Sequence, residues 1–328
     1  MAPSNSNRVK GRVPRVTAGL LLWAILIWGL AAVYTLHINP ELRHFKGTYE
    51  IKKRWAEKMT AEHGAKLVVY GGSSCEFSLD GERLLERHGI PCVNLGRGAG
   101  MGMVVLTMAA LEEARPGDTL IVALEPGLIT DEPGFPALGA QFSVAVGHAD
   151  WLRQPLAPVA AASWAEILLA LRPGAYHVFT MLGKLAGGKE LYRYKLEEMR
   201  ASGFNQTPVR VEIAGPPGHG VRIPAASRAF LISLRERCRE RNIRLAYSLP
   251  WGYTPPEAVD SFQADNLAFL EQMKTIMPVL KDPRLGAYTV REHFADTAWH
   301  LTEEGSALRT DEFGDQVKRW MEEGLVLP

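Results

Sequence analysis

The chain has little cysteine and almost no net charge. Three cysteines in 328 residues (Cys75, Cys92 and Cys238) are too few and too scattered for a disulfide framework or a zinc cage. The one bridge left open to them is Cys75–Cys92. A net charge of +1, with no basic run interleaved with aromatic residues, speaks against nucleic acid as a partner. Internal repeats and low-complexity tracts are absent. A second membrane-length apolar run is also missing. The stretches Ser163–Leu171 and Tyr176–Leu185 are apolar, but Glu166 and Arg172-Pro173-Gly174 interrupt them. The glycine run after Asn94 has the wrong spacing for a dinucleotide fingerprint. No cofactor and no metal are therefore expected.

What remains is ordinary globular material with one exception. Hydrophobic residues make up 47% and charged residues 22%, enough to bury a core. The exception is the N-terminus, where residues 17–36 carry no charge and include LLLWAILIWGLAAVY. That run is long enough to cross a hydrocarbon core of about 30 Å as a helix. Arg8, Lys10, Arg12 and Arg15 precede it without an acidic residue, the composition of a cytoplasmic flank. Arg43, Lys46, Lys52, Lys53 and Arg54 follow it, so charge counting alone does not orient the span. A cleaved signal peptide, with Gly29 and Ala31 flanking the cut, is the rival reading. The run exceeds the usual signal core of about 7–15 residues. The expectation is a basic cytoplasmic tail (1–16), a transmembrane helix (17–36) in the inner membrane, and a body (48–328) outside the cytoplasm.

Past an amphipathic helix at Thr48–His63, with Ile51, Trp55 and Met59 on its apolar side, the chain alternates. Strand Leu67–Tyr70 runs into Gly71-Gly72-Ser73-Ser74, where two glycines allow a sharp turn and a helix begins at the serines. Strand Pro91–Leu95 leads to Gly96-Arg97-Gly98-Ala99-Gly100, helix Met103–Ala114 follows, and Thr119–Leu124 is a third buried strand. Such alternation builds βαβ units and a parallel sheet. From about 131 to 210 the rhythm breaks into a helical insertion, with an edge strand expected at Val209–Ile213. It resumes with helix Ala225–Arg239, strand Arg244–Ser248, helix Val259–Met277, a strand near Gly286–Val290 and a last helix at Thr302–Met321. The expected architecture is a three-layer α/β/α sandwich with a five-stranded parallel sheet in flavodoxin-like order, plus the N-terminal span and the insertion.

An early serine on a strand-to-helix turn and a late Asp296-Thr-Ala-Trp-His300 loop belong to nucleophilic acyl chemistry. Serine needs a base within hydrogen-bond reach, and the base needs a group to orient it. In these blocks the chain resembles the SGNH (GDSL-like) hydrolases over most of residues 65–320, outside the insertion. Gly72-Ser73-Ser74 matches their first block, Asn94 to Gly100 the second, and His300-Leu-Thr-Glu-Glu-Gly305 the histidine block. The resemblance implies Ser74 as nucleophile, His300 as base and Asp296 as orienting carboxylate. It also implies an oxyanion hole from the backbone of Ser74, Gly98 and Gly100. Asn94, Arg97 and Glu125 are candidates for substrate contact or an auxiliary role.

Two departures stand out. Asp296 lies four residues before His300, against the family's three. The family's asparagine block is missing, and Glu125 stands where a neutral amide donor is expected. A carboxylate there repels a developing oxyanion; its simplest alternative use is an ion pair with Arg97. Related proteins with a single membrane helix act on acyl groups of envelope polymers. The resemblance therefore implies an esterase or O-acyltransferase acting on acetyl esters of an exported polysaccharide, with a membrane-bound acyltransferase or polysaccharide-synthesis partner. A catalytically impaired scaffold in a polysaccharide assembly complex and a lipid esterase are the alternatives.

Overall fold

The computed structural model describes residues 6–206, 213, 218 and 220–324. Helix α1 (Ser6–Val33) passes through a π-helical turn (Tyr34–Ile38) into α2 (Pro40–His63). The apolar stretch Val16–Ile38 covers 23 residues. At 1.5 Å per residue it is about 35 Å long, sufficient for a hydrocarbon core. No flexible linker follows. Asn39 accepts the amide of Glu41 at 3.0 Å and Pro40 occupies the first helical position, so α2 starts eight residues before the expected Thr48. The buried face of α2 also differs from expectation. Leu42, Phe45, Tyr49, Lys52, Ala56 and Met59 are enclosed, while Ile51 and Trp55 are only partly so.

The core sheet is parallel, with β1 (Leu67–Tyr70), β2 (Cys92–Asn94), β3 (Thr119–Val122) and β4 (Arg244–Tyr247) in the order β2-β1-β3-β4. Register runs Val69 opposite Asn94 and Ile121, and Val122 opposite Tyr247. Alternate side chains leave the two faces: Val68, Tyr70, Leu120 and Val122 enter one apolar cluster, Leu67, Val69 and Ile121 another. Helices α5 (Gly102–Glu113) and α11 (Ala225–Glu240) supply the first cluster. Helices α4 (Gly81–His88) and α13 (Glu303–Glu322) supply the second.

The expected five-stranded sheet is thus a four-stranded one. Residues Ala287–Tyr288 do form a short strand, but it pairs in parallel with Gly252–Tyr253 in a separate two-stranded sheet. The place beside β4 is held by a single bridge from Tyr247 to Val279. The amide of Tyr247 donates to the Pro278 carbonyl and that of Leu280 to the Tyr247 carbonyl. Pro278 cannot donate, which shortens the ladder there.

Between β3 and β4 the described residues form helices and, apart from one antiparallel bridge between Met199 and Asn205, no strand pairing. These are α6 (Pro126–Thr130), α7 (Ala137–Ala145), α8 (Asp150–Arg153), α9 (Trp164–Ala170) and α10 (Ala175–Ala186). The expected edge strand at Val209–Ile213 lies, apart from Ile213, outside the described residues. Helix α12 (Val259–Lys274) completes the body. All three cysteines are free and buried, so the Cys75–Cys92 bridge is not made.

Candidate active site

The serine turn sits at the carboxyl end of β1. Gly71 and Gly72 are required there because side chains would collide: a Cβ on Gly71 would meet the Ala123 carbonyl, and one on Gly72 the Glu125 carboxylate. The short helix α3 (Ser73–Glu76) follows directly. The C-terminal helix carries His300 to the same rim. Within α13, Ser306 Oγ donates to the Ser78 carbonyl at 3.1 Å, and Thr310 Oγ1 accepts the Asp80 amide at 3.0 Å. These bonds lock the histidine block against the segment that follows the serines.

The loop before α13 is a tight hairpin. Phe294 bridges Leu301, the Ala295 amide donates to the His300 carbonyl, and Thr297 Oγ1 accepts the amides of Trp299 and His300 at 3.1 Å each. That turn accounts for the four-residue spacing, since it folds His300 back over Asp296. His300 Nδ1 lies 2.8 Å from Asp296 Oδ1, with side-chain exposures of 6% and 1%. The outer oxygen of Asp296 accepts Tyr194 Oη at 2.8 Å and Arg193 at 3.1 Å. Burial pushes the Asp296 carboxyl up, but the bonds from His300 and Tyr194 and the Arg193 charge outweigh it and hold the carboxyl below its usual range. With Nδ1 committed to an ionised partner, Nε2 is the nitrogen left for a substrate or nucleophile proton. The imidazole packs on Phe77, ring centroids 4.3 Å apart.

His300 thus packs on Phe77, the residue that closes α3, whose amide donates to the Ser73 carbonyl. No hydrogen bond joins either serine hydroxyl to His300 among the described residues. Ser74 is fully enclosed, its Oγ has no partner, and its amide donates to Glu125 Oε1 at 2.9 Å. Ser73 keeps partial exposure, and its carbonyl accepts the Phe77 amide, so the two residues stand one above the other on α3.

Glu125 does not pair with Arg97. Its carboxylate takes the amides of Gly72 (3.0 Å) and Ser74, and so occupies the donor expected to face an oxyanion. The Arg97 guanidinium lies instead over the rings of Tyr49 and Phe142, 5.1 and 5.3 Å from their centroids. Gly98 abuts the Phe45 ring and Gly100 the Leu138 side chain. Contact with the serine turn belongs to Gly96, whose Cβ would strike the Glu76 amide, and to the Arg97 amide, which donates to the Gly71 carbonyl at 3.2 Å. Asn94 is enclosed and used structurally: its Nδ2 donates to the carbonyls of Cys75 and Leu79, and its Oδ1 accepts the Gly96 amide. It offers nothing to a substrate.

Lys52, Tyr194 and Arg193 escaped the sequence reading. Lys52 sits on the buried face of α2, and its Nζ donates to Glu76 and to the Gly96 carbonyl. A lysine in the core register of an amphipathic helix was the available signal. One trio, Glu112, His148 and Asp150, has the proximity of metal ligands. Both His148 nitrogens are already engaged, by Tyr49 and by Asp150, and the trio carries no metal assignment.

Glu125 gives a direct prediction. Glu125→Ala leaves two enclosed amides without an acceptor, at about 1–3 kcal/mol each. Unfolding of the purified chain should show a loss of about 2–6 kcal/mol, with Glu125→Gln losing less because it keeps a carbonyl acceptor. An undiminished stability in Glu125→Ala would mean that the carboxylate does not hold the turn.

The molecule defined so far is a parallel α/β protein with one N-terminal apolar helix and a histidine–carboxylate pair at the carboxyl rim of its sheet. No protein-family model matches the chain, and no curated protein or solved structure does so.

Proposed function

We propose that the chain is a membrane-anchored, SGNH-like serine esterase or O-acyltransferase, working outside the cytoplasm on acyl esters, acetyl in the first instance, of an exported polysaccharide. The observation that carries the reading is the Asp296–His300 pair, fixed at 2.8 Å and packed against the helix turn that bears the serines. In this mechanism Nε2 of His300 takes the proton of a serine hydroxyl as that oxygen attacks the ester carbonyl. His300 then returns the proton to the departing alcohol, and water or a sugar hydroxyl accepts the acyl group. Exposure favours Ser73 over the expected Ser74 as the attacking residue. The single apolar helix and its basic N-terminal flank support an inner-membrane anchor with the body on the far side.

A second reading has its own observation. The Glu125 carboxylate sits on the Ser74 amide, where an oxyanion would need a donor, and this favours a catalytically impaired component of a polysaccharide assembly complex. One experiment separates the two. An activated serine in the full-length, detergent-solubilised chain should be captured by a fluorophosphonate and should release acetate from acetylated polysaccharide. Neither reaction occurring would sink the enzyme and leave the scaffold.

A further inference from the structure

Two helices of the insertion expose apolar side chains that a water-facing surface would not carry. On α10, Phe179, Leu182 and Leu185 are 73%, 57% and 61% exposed, at spacings of three along one side. His177 and Lys184 lie on the half-buried opposite side. On α9, Ile167 points into the body, whereas Trp164, Leu168 and Leu169 face outward. The division is clean on α10, whereas α9 also exposes Glu166 and sets Trp164 against the Arg153 guanidinium; an apolar outer face such as that of α10 marks a helix that meets something apolar.

The position of these helices says what that is. Tyr34 lies in the last turns of the apolar stretch Val16–Ile38, the place of an interfacial aromatic anchor. Its hydroxyl is 3.2 Å from His177 Nε2, at the start of α10. Helix α7 packs on the same π-helical turn, and α9 packs on α7. Glu41, at the start of α2, lies close enough to Lys184 to feel its charge. The insertion is therefore tied to the end of the membrane-length helix at the level where that helix leaves the hydrocarbon.

We infer that α9 and α10 lie in the surface of the bilayer that α1 crosses, with Trp164, Leu168, Phe179, Leu182 and Leu185 in the acyl boundary. This rests on the proposal that α1 is a membrane anchor. Lys189, just past α10, would face anionic headgroups. The chain leaving α10 supplies Arg193 and Tyr194, which hold Asp296. The inferred bilayer-facing element and the histidine–carboxylate pair are thus joined by a few residues.

The test uses the full chain in vesicles of phosphatidylethanolamine and phosphatidylglycerol containing doxyl-labelled lipid. Because the three native cysteines are buried, an environment-sensitive fluorophore can be directed to Phe179→Cys or Leu182→Cys, with Leu267→Cys on α12 as an exposed apolar control. The expected result is blue-shifted emission and strong doxyl quenching at 179 and 182, with neither at 267. Emission at 179 and 182 that matches the control overturns the inference. So does a blue shift without quenching that depends on protein concentration, since a second copy would then cover the face. Release of the chain from the vesicles by alkaline carbonate would instead remove the anchor itself, and the inference with it.

Discussion

On the proposed serine mechanism, alanine at Ser73 should abolish fluorophosphonate capture and cut ester turnover by about 10⁴–10⁶-fold, while alanine at Ser74 should leave both nearly intact. The difference follows from packing. Ser74 Oγ is sealed from solvent and bonds to nothing, so its removal relieves an unsatisfied buried hydroxyl and should leave stability unchanged or raised. Ser73 is the hydroxyl with access, one helical turn from the ring that supports His300. His300→Ala should match Ser73→Ala. Asp296→Asn should cost about 10⁴-fold, because an amide next to Nδ1 no longer selects the tautomer that leaves Nε2 free. Rates on the full chain, paired with thermal unfolding, separate lost chemistry from lost structure. Capture that survives Ser73→Ala and disappears with Ser74→Ala would return the nucleophile to Ser74. Capture that survives both would end the serine mechanism.

The resemblance of Gly72-Ser73-Ser74 to the family's first block named Ser74, although Gly71-Gly72-Ser73 has the same Gly-x-Ser spacing. Neighbouring helix residues point about 100° apart, and which one faces outward is set by tertiary packing. The four core strands and the late histidine loop were legible because each is a short apolar run or a distinctive spacing. The fifth strand was not. Ala287–Tyr288 has the composition of a strand, yet its partner is Gly252–Tyr253, and pairing is a long-range choice that composition does not encode. Glu125 was visible as an anomaly at the end of β3, but its partner was mistaken. Charge matching pointed to Arg97, whereas the amides of the turn are nearer and the guanidinium finds two aromatic faces. Tyr194 lies in a segment with no periodicity to mark it, about a hundred residues from the carboxylate it holds.

Replacing Lys52 by methionine should destabilise the chain by about 3–5 kcal/mol, the cost of leaving a buried charge without its partner. Lys52 is fully enclosed and Glu76 nearly so, and the ammonium holds together three segments: α2, the serine helix through Glu76 at 3.2 Å, and the glycine block through the Gly96 carbonyl. Removing both charges in Lys52→Met with Glu76→Gln should cost much less than the two single changes added together, because no orphan ion remains. The pair also sets a pH dependence of definite sign. Burial drives the Lys52 ammonium down to about 8 from 10.5, with Glu76 opposing it. Between those values the unfolded chain binds more protons than the folded one, so stability rises with pH through that window and is flat below it as far as this group is concerned. Chemical unfolding of the solubilised chain across the window should show that rise, and Lys52→Met should erase it. A rise that persists in the variant would assign it to another group, whereas its loss would tie the serine turn, the glycine block and α2 to one buried proton.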